Sequence, residues 1–167
     1  MSRPIDYLDR EIIAILQRDG RTTNTEMARQ LGVAEGTIRR RMDRLIDEGV
    51  VKIAAVTEPY KVGMGVVALI NLDVELPSLE EVAEKLVQMQ CVRVVAYTTG
   101  SHDILVEALF PSQEDLLEFL KDKLGRIPGI RKTQTSIVLR LLKRSYEWEL
   151  PRVEQLEELE VSLDERR

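Results

Sequence analysis

The sequence predicts an α+β chain in two parts: helices alone to about residue 48, then strands and helices in the order βαββαβ. Three observations predict it. Apolar residues recur at helical spacing through residues 8–16 and 38–45. β-branched runs at 64–75, 92–99, 104–110 and 130–144 alternate with two helical segments. Between the two patterns stands Glu58-Pro59-Tyr60-Lys61-Val62-Gly63, where proline discourages a continuous helix.

The first helix is expected over residues 6–18. Leu8, Ile12, Ile15 and Leu16 share one face, Asp6 can cap its start, and Asp19-Gly20 close it. Thr23 and Glu26 have the spacing of a capping box, so a second helix should begin at Asn24 or Thr25. Met27, Ala28 and Leu31 give it an apolar side, and Gly32 supplies the positive φ that stops it. Val33 and Ala34 form a turn, and a third helix runs to about Glu48, ended by Gly49. Two short helices joined by so tight a turn form the helix-turn-helix unit that reads DNA. Residues 49–53 and 55–57 are expected as two short strands of a wing. Residues 1–58 are therefore read as a winged helix-turn-helix domain, with 59–63 as a linker.

The third helix divides cleanly at about 100° per residue. With Ile38 at zero, Met42 falls at about 40° and Leu45 at about 340°, forming a buried stripe. Arg40, at about 200°, points directly away, with Gly36, Thr37 and Arg44 beside it and Arg39 and Arg41 on the flanks. Guanidinium forks can bind guanine bidentately or hold a phosphate. Thr23, Gly36, Thr37, Arg39, Arg40, Arg41 and Arg44 are the candidate contacts to double-stranded DNA. The plain alternative is a solvated basic face on an ordinary helix, which the short upstream helix and the turn spacing argue against.

The second part, residues 64–146, opens with a strand over 64–75. Ser78-Leu79-Glu80-Glu81 is a capping box opening a helix to about Gln90. A strand over 92–99, a turn over 100–103 and a strand over 104–110 follow. Pro111 and Ser112 start a helix ending at Gly125, Ile127-Pro128-Gly129 breaks the chain, and a long strand covers 130–144. This order is the split βαβ of ferredoxin-like sheets. Val66, Ala68, Ile70, Leu72 and Val74 form one face for two helices to cover, while Val67 and Leu69 lie opposite. Apolar groups also fall on both faces of the last strand. An exposed apolar sheet is unfavourable in water, so a second copy related by a two-fold axis is expected against it.

The net charge of −5 is unevenly spread. Residues 1–58 hold ten basic and ten acidic side chains, 59–146 hold eleven of each, and 147–167 hold eight acids against three arginines. The acidic total therefore does not bar a local basic patch from DNA. No apolar run reaches the about 18 residues of a membrane span, and the N-terminus lacks a signal peptide's apolar core, so a cytoplasmic protein is expected. A lone Cys91 and a lone His102 argue against disulfides and a protein-built metal centre. No nucleophile–base pair or phosphate-cradling glycine loop is present, so neither catalysis nor a cofactor is expected.

The chain resembles the Lrp/AsnC, or feast/famine, transcription regulators over about residues 5–150. The resemblance rests on IDYLDREIIAIL, DGR at 19–21, MARQLGV at 27–33, TIRRRMDRL at 37–45 and EGVV at 48–51. It continues through EPYKVG, TTGSHDILV at 98–106 and LGRIPGIRKTQTSIVL at 124–139. It implies a second domain that assembles dimers, often octamers, and binds small metabolites, commonly amino acids, at subunit contacts. It also implies an effector loop whose Gly-x-x-Asp falls on Gly100 and Asp103. Thr98, Thr99, Gly100, Ser101, His102 and Asp103 gather hydroxyls, an imidazole and a carboxylate there. Asp103 can accept from an ammonium, while backbone N–H groups can meet a carboxylate. The plain reading is a hairpin turn in which Asp103 bonds its own backbone. Thr135 and Ser136 on the last strand are candidates to face such a pocket from a neighbouring subunit. Sirohaem decarboxylases resemble the same two-part layout and give an enzyme alternative, but they need tetrapyrrole-binding histidines and arginines, and His102 is the only histidine.

Two departures from the family stand out. Ala34-Glu35-Gly36 replaces a serine-like cap and proline, and losing the cap costs about 1 kcal/mol. The first turn of the reading helix is therefore expected to be loose before DNA orders it. The tail from Pro151 to Arg167 extends past the usual end near the final strand. There Val153, Leu156, Leu159 and Leu163 share a helical face, so a packed helix is expected.

Overall fold

The computed structural model describes residues 4–148. The described residues divide into two compact units, 4–55 with 143–148, and Val56–Leu142. The expected tail helix lies outside the described residues.

In the first unit, α1 is Tyr7–Arg18, α2 Asn24–Leu31 and α3 Glu35–Asp47. Asp6 caps α1 in a reciprocal box: its carboxylate accepts the Asp9 N–H, and the Asp9 carboxylate accepts the Asp6 N–H, each at 3.1 Å. Thr23 caps α2 by accepting the Glu26 N–H at 3.2 Å. The reciprocal half expected there is not made, because the Glu26 carboxylate is taken by Arg29 and Gln30. Gly32 ends α2 at φ 67°, a left-handed conformation that costs a β-carbon-free residue little. Ile12, Ile13 and Ile15 of α1 meet Met27 and Ala28 of α2 and Ile38, Met42 and Leu45 of α3 in one buried core. Each fully buried side chain of this kind contributes about 1.5–3 kcal/mol. The expected wing strands do not form, and residues 51–58 carry no strand. Two runs of a few residues make too short a ribbon to hold itself in water, and Ile53 and Val56 stay exposed.

In the second unit, β1 is Val66–Val74, α4 Leu79–Val87, β2 Val92–Tyr97, β3 Ile104–Phe110, α5 Gln113–Glu118 and β4 Ile130–Ile137. Before β1, Pro59–Val62 forms a 3-10 turn ended by Gly63. The four strands form one antiparallel sheet in the order β2-β3-β1-β4, as a split βαβ requires. Val66, Ala68, Ile70, Leu72 and Val74 are buried with Ile104, Val106, Ala108 and Phe110 beneath the helices. The rings of Phe110 and Phe119 lie 5.1 Å apart, tying the segment after α5 to β3.

Three expectations for this unit need correction. Ser78 makes no side-chain cap, because a 3-10 turn over Leu76–Ser78 runs straight into α4 and holds its backbone outside the extended region a cap needs. The helix expected to reach Gly125 breaks after Glu118 into a wide π turn, Phe119–Lys123, and a 3-10 turn, Leu124–Arg126. A regular helix would set Leu124 about 140° round from Phe119; the wider turn lets both be buried. Finally, β4 stops at Ile137 rather than near residue 144. Ala68 pairs with Ile137 and the Val67 carbonyl accepts the Val138 N–H, after which only Val66 of β1 remains for the chain to run beside.

The face away from the helices carries Val67, Leu69, Leu105 and Leu109, with Val94 and Ala96 of β2 alongside. It is less uniformly apolar than the sequence led us to expect. Asn71, Glu107, Gln134 and Ser136 share it, and Ile137 belongs to the opposite face.

Candidate DNA-binding face and effector loop

Glu35 links the uncapped first turn of α3 to its neighbours through side chains. Ala34 makes no side-chain cap bond, but Glu35 accepts from the Thr25 hydroxyl at 2.8 Å and from Arg39 at 2.8 Å. That ties the first turn of α3 to the start of α2. Gly36 and Thr37 sit in the same turn.

The four arginines have different fates. Arg39 spends its charge on the exposed pair with Glu35. Arg41 donates to both oxygens of Asp6, at 2.7 and 2.6 Å, and to Asp9 at 2.9 Å. Arg44 donates to the other oxygen of Asp9, a carboxylate with no solvent exposure. Arg40 is exposed and makes no ion pair among the described residues. Burial pushes the Asp6 carboxyl up, but the hydrogen bonds from Arg41 and the Asp9 N–H, with the Arg41 charge, outweigh it and hold the group at about 2. Thr23 lies apart from this face as the α2 cap, with its hydroxyl oxygen engaged by the Glu26 N–H. The acids Asp6, Asp9 and Glu35 and the hydroxyl of Thr25 were missed as members of this surface. A signal existed in the acids at i, i+3 in α1 and the arginines at i, i+3 in α3. Their pairing spans 32–35 residues and is invisible without the fold.

In the second unit, the loop after β2 closes with the Thr98 N–H on the Asp103 carbonyl and the Thr98 hydroxyl on the His102 carbonyl. Gly100 turns it at φ 112°. The Asp103 side chain reaches outside its own turn. Its carboxylate accepts the Val74 N–H of β1 at 2.7 Å, and Arg131 approaches the same oxygen at 3.7 Å. His102 is held by Asp73, Nδ1 to Oδ1 2.7 Å, rather than simply solvated. Thr99 and Ser101 are exposed at the tip. The structure thus brings Asp73, His102, Asp103 and Arg131 to one end of the sheet; of these, sequence reasoning missed Asp73 and Arg131.

Thr135 and Ser136 are not part of that cluster within the chain. Thr135 pairs with Ile70 and Ser136 with Leu69, so they lie on opposite faces. At about 3.4 Å per residue, Thr135 is roughly 14 Å along β1 from Val74. Tyr97 is exposed and, with Ala83, Val87 and Val95, lines a separate open groove of about 830 Å³ between α4 and β2. No group of three or more His, Cys, Asp or Glu among the described residues is placed to hold a metal ion. Burial pushes the Cys91 thiol up, which suits an inert, half-buried side chain. Among the described residues, no helix is long and apolar enough to cross a membrane.

A helix-turn-helix core with arginines on its third helix in one unit, and a ferredoxin-like sheet in the other, define a DNA-binding regulator with a ligand-binding domain. Comparison with known proteins agrees. A winged helix-turn-helix DNA-binding profile matches residues 5–52, and the Lrp/AsnC ligand binding domain matches residues 67–148. An uncharacterized HTH-type transcriptional regulator of Pyrococcus furiosus is 44% identical over 143 residues, covering 85% of this chain and 97% of that one. The regulator FL11 of Pyrococcus abyssi is 38% identical over 144 residues, covering 86% and 95%. Among solved structures, a Neisseria meningitidis transcriptional regulator in complex with L-Met superposes with a TM-score of 0.78 at 28% identity, covering 85% and 94%. E. coli AsnC gives 0.77 at 28% identity, covering 87% and 100%. The chain belongs to the Lrp/AsnC family of transcription regulators. The sirohaem-decarboxylase alternative gains nothing from these relatives, each of which is described as a regulator or AsnC.

Proposed function

We propose that this regulator reads duplex DNA through the outer face of α3, with Arg40 as the base-reading side chain, and responds to an amino acid at the 98–103 loop. The observation that carries the first half is the contrast on α3. Arg39, Arg41 and Arg44 are engaged by carboxylates of the chain itself, whereas Arg40 is exposed and available to a base edge. Arg39, Gly36 and Thr37 flank it, with Arg41 and Arg44 toward a phosphate. Gel shifts of the Arg40→Ala chain against the intact one test it.

The second half is supported by the L-Met complex of the Neisseria relative and by the polar cluster at the loop. Asp73, Asp103 and the Thr98, Thr99 and Ser101 hydroxyls offer acceptors to an ammonium, and Arg131 and the backbone N–H groups around Gly100 offer donors to a carboxylate. Thr135 and Ser136 enter only if a second copy brings them there. The apolar share of the open sheet face favours a homodimer, on which an octamer can be built. A thermal-shift screen with the common amino acids tests sensing, since a ligand bound only by the native state raises its stability.

A further inference from the structure

The last described residues return to the DNA-binding unit. Residues 143–148 belong to the same compact unit as α1, α2 and α3. Glu147 and Trp148 line a small concavity of about 290 Å³ with Ala14, Gln17 and Arg18 of α1. Ser145 braces the approach to it: its hydroxyl accepts the Glu147 N–H at 3.2 Å and donates to the Glu147 carbonyl at 3.1 Å. At about 1.5 Å per residue, Ala14 and Arg18 lie roughly 8–14 Å along α1 from Asp9. Asp9 is where Arg41 and Arg44 of α3 join α1. The chain beyond Trp148 therefore starts close to α3.

That chain is strongly acidic. Residues 149–167 carry seven acids against three arginines, whereas Gly36–Arg44 carries four arginines against Asp43. Within that stretch of α3, Arg40 is exposed and makes no ion pair among the described residues. Reach is sufficient. The nineteen residues 149–167 would span about 29 Å even as a helix, and more when extended. A unit of this size has a radius of gyration of only about 10 Å. A tether this short holds the segment at an effective concentration on the order of millimolar.

We propose that the acidic segment 149–167 docks on the outer face of α3 in the DNA-free protein and competes with duplex DNA for Arg40. Carboxylates pair with guanidinium groups through short, charge-assisted hydrogen bonds. The competition rests on the reading of α3 as the DNA-contacting helix; the docking does not. A docking constant of about 1 mM halves duplex affinity, and one of about 0.1 mM lowers it about tenfold. Every duplex meets the same competitor, so weak, sequence-independent sites empty first and strong sites stay bound. The acidic excess of the chain thus sharpens DNA binding instead of merely opposing it.

The test compares the full chain with a full-length variant carrying Glu154→Gln, Glu157→Gln, Glu158→Gln and Glu160→Gln, and with a chain ending at Trp148. Arginine side-chain NMR resonances are recorded without DNA, and affinity for a short random duplex is measured at low and high salt. We expect the Arg40 resonances to move when the four charges are removed, and duplex affinity at low salt to rise about two- to tenfold. At high salt the gain should vanish, so log affinity falls more steeply with log salt in the variant. The chain ending at Trp148 should behave alike, and a synthetic 149–167 peptide added to it should reverse both changes. Tighter duplex binding with unmoved Arg40 resonances would reduce the segment to long-range repulsion and overturn the docking. Unmoved resonances with unchanged affinity would overturn the proposal and leave the DNA reading standing. Moved resonances with no duplex binding by any of the chains would keep the docking and remove the DNA reading. If the chain ending at Trp148 melts below the assay temperature, the four-site variant, which keeps the apolar residues of the segment, decides alone.

Discussion

The outer face of α3 and the 98–103 loop both gather charged side chains, but different parts of the chain hold them. On α3, carboxylates from α1 fix two arginines across 32–35 residues of sequence, and Arg40 is left exposed. In the loop, Asp103 is fixed by the neighbouring β1 backbone and His102 by Asp73 of the same strand. The first arrangement ties α3 to the start of α1. The second closes a turn and leaves hydroxyls at its tip. Breaking the two should therefore have different consequences.

The largest effect is expected from Asp9→Ala, which strips two guanidiniums of a buried partner. Removing one side of a buried ion pair costs about 3–5 kcal/mol, and the low end applies because both arginines keep about a fifth of their side chains exposed. Urea unfolding measures it, and a loss below about 1 kcal/mol would mean the network does not hold α3. Next comes Leu69→Lys, which sets a charge on the open sheet face. If that face is buried against a second copy, light scattering should show dissociation or aggregation. A wild-type chain that is already a soluble monomer would remove the dimer.

If the loop senses an amino acid as proposed, Asp103→Ala abolishes that response in thermal shift and gel shift while DNA binding stays measurable. A variant with the full response returns the loop to a structural turn. A pH test bears on Asp6. Its carboxyl is held at about 2, below its ordinary 3.8, so its contribution is fully present above the ordinary value and is lost as pH falls through about 2. Unfolding curves between pH 4 and 2 should show an acid loss that Asp6→Asn lessens. The smallest effect is expected from Arg39→Ala, whose exposed i,i+4 pair with Glu35 contributes about 0.3–0.5 kcal/mol.

Much of this layout was legible in the sequence because its signals are local. Caps at Asp6 and Thr23, the glycine stop at Gly32 and the alternation along β1 are decided within a few residues. The misses share a cause. Whether residues 49–57 pair as strands, where β4 ends and how α5 winds depend on what lies opposite each segment. The candidate sites follow the same rule. Arg40 could be placed on the outer face from periodicity alone. That Arg41 and Arg44 are already bonded to α1, and that Thr135 and Ser136 face opposite ways, emerged only from long-range pairing.

Arg40→Ala, assayed by gel shift on a duplex selected from a random pool by the intact protein and on an unselected duplex, tests the central claim most directly. If Arg40 reads a base, affinity for the selected duplex falls by about 1–3 kcal/mol, with a much smaller change on the unselected one. Equal affinity of variant and intact protein for the selected duplex would contradict the assignment of α3 as the reading helix through Arg40.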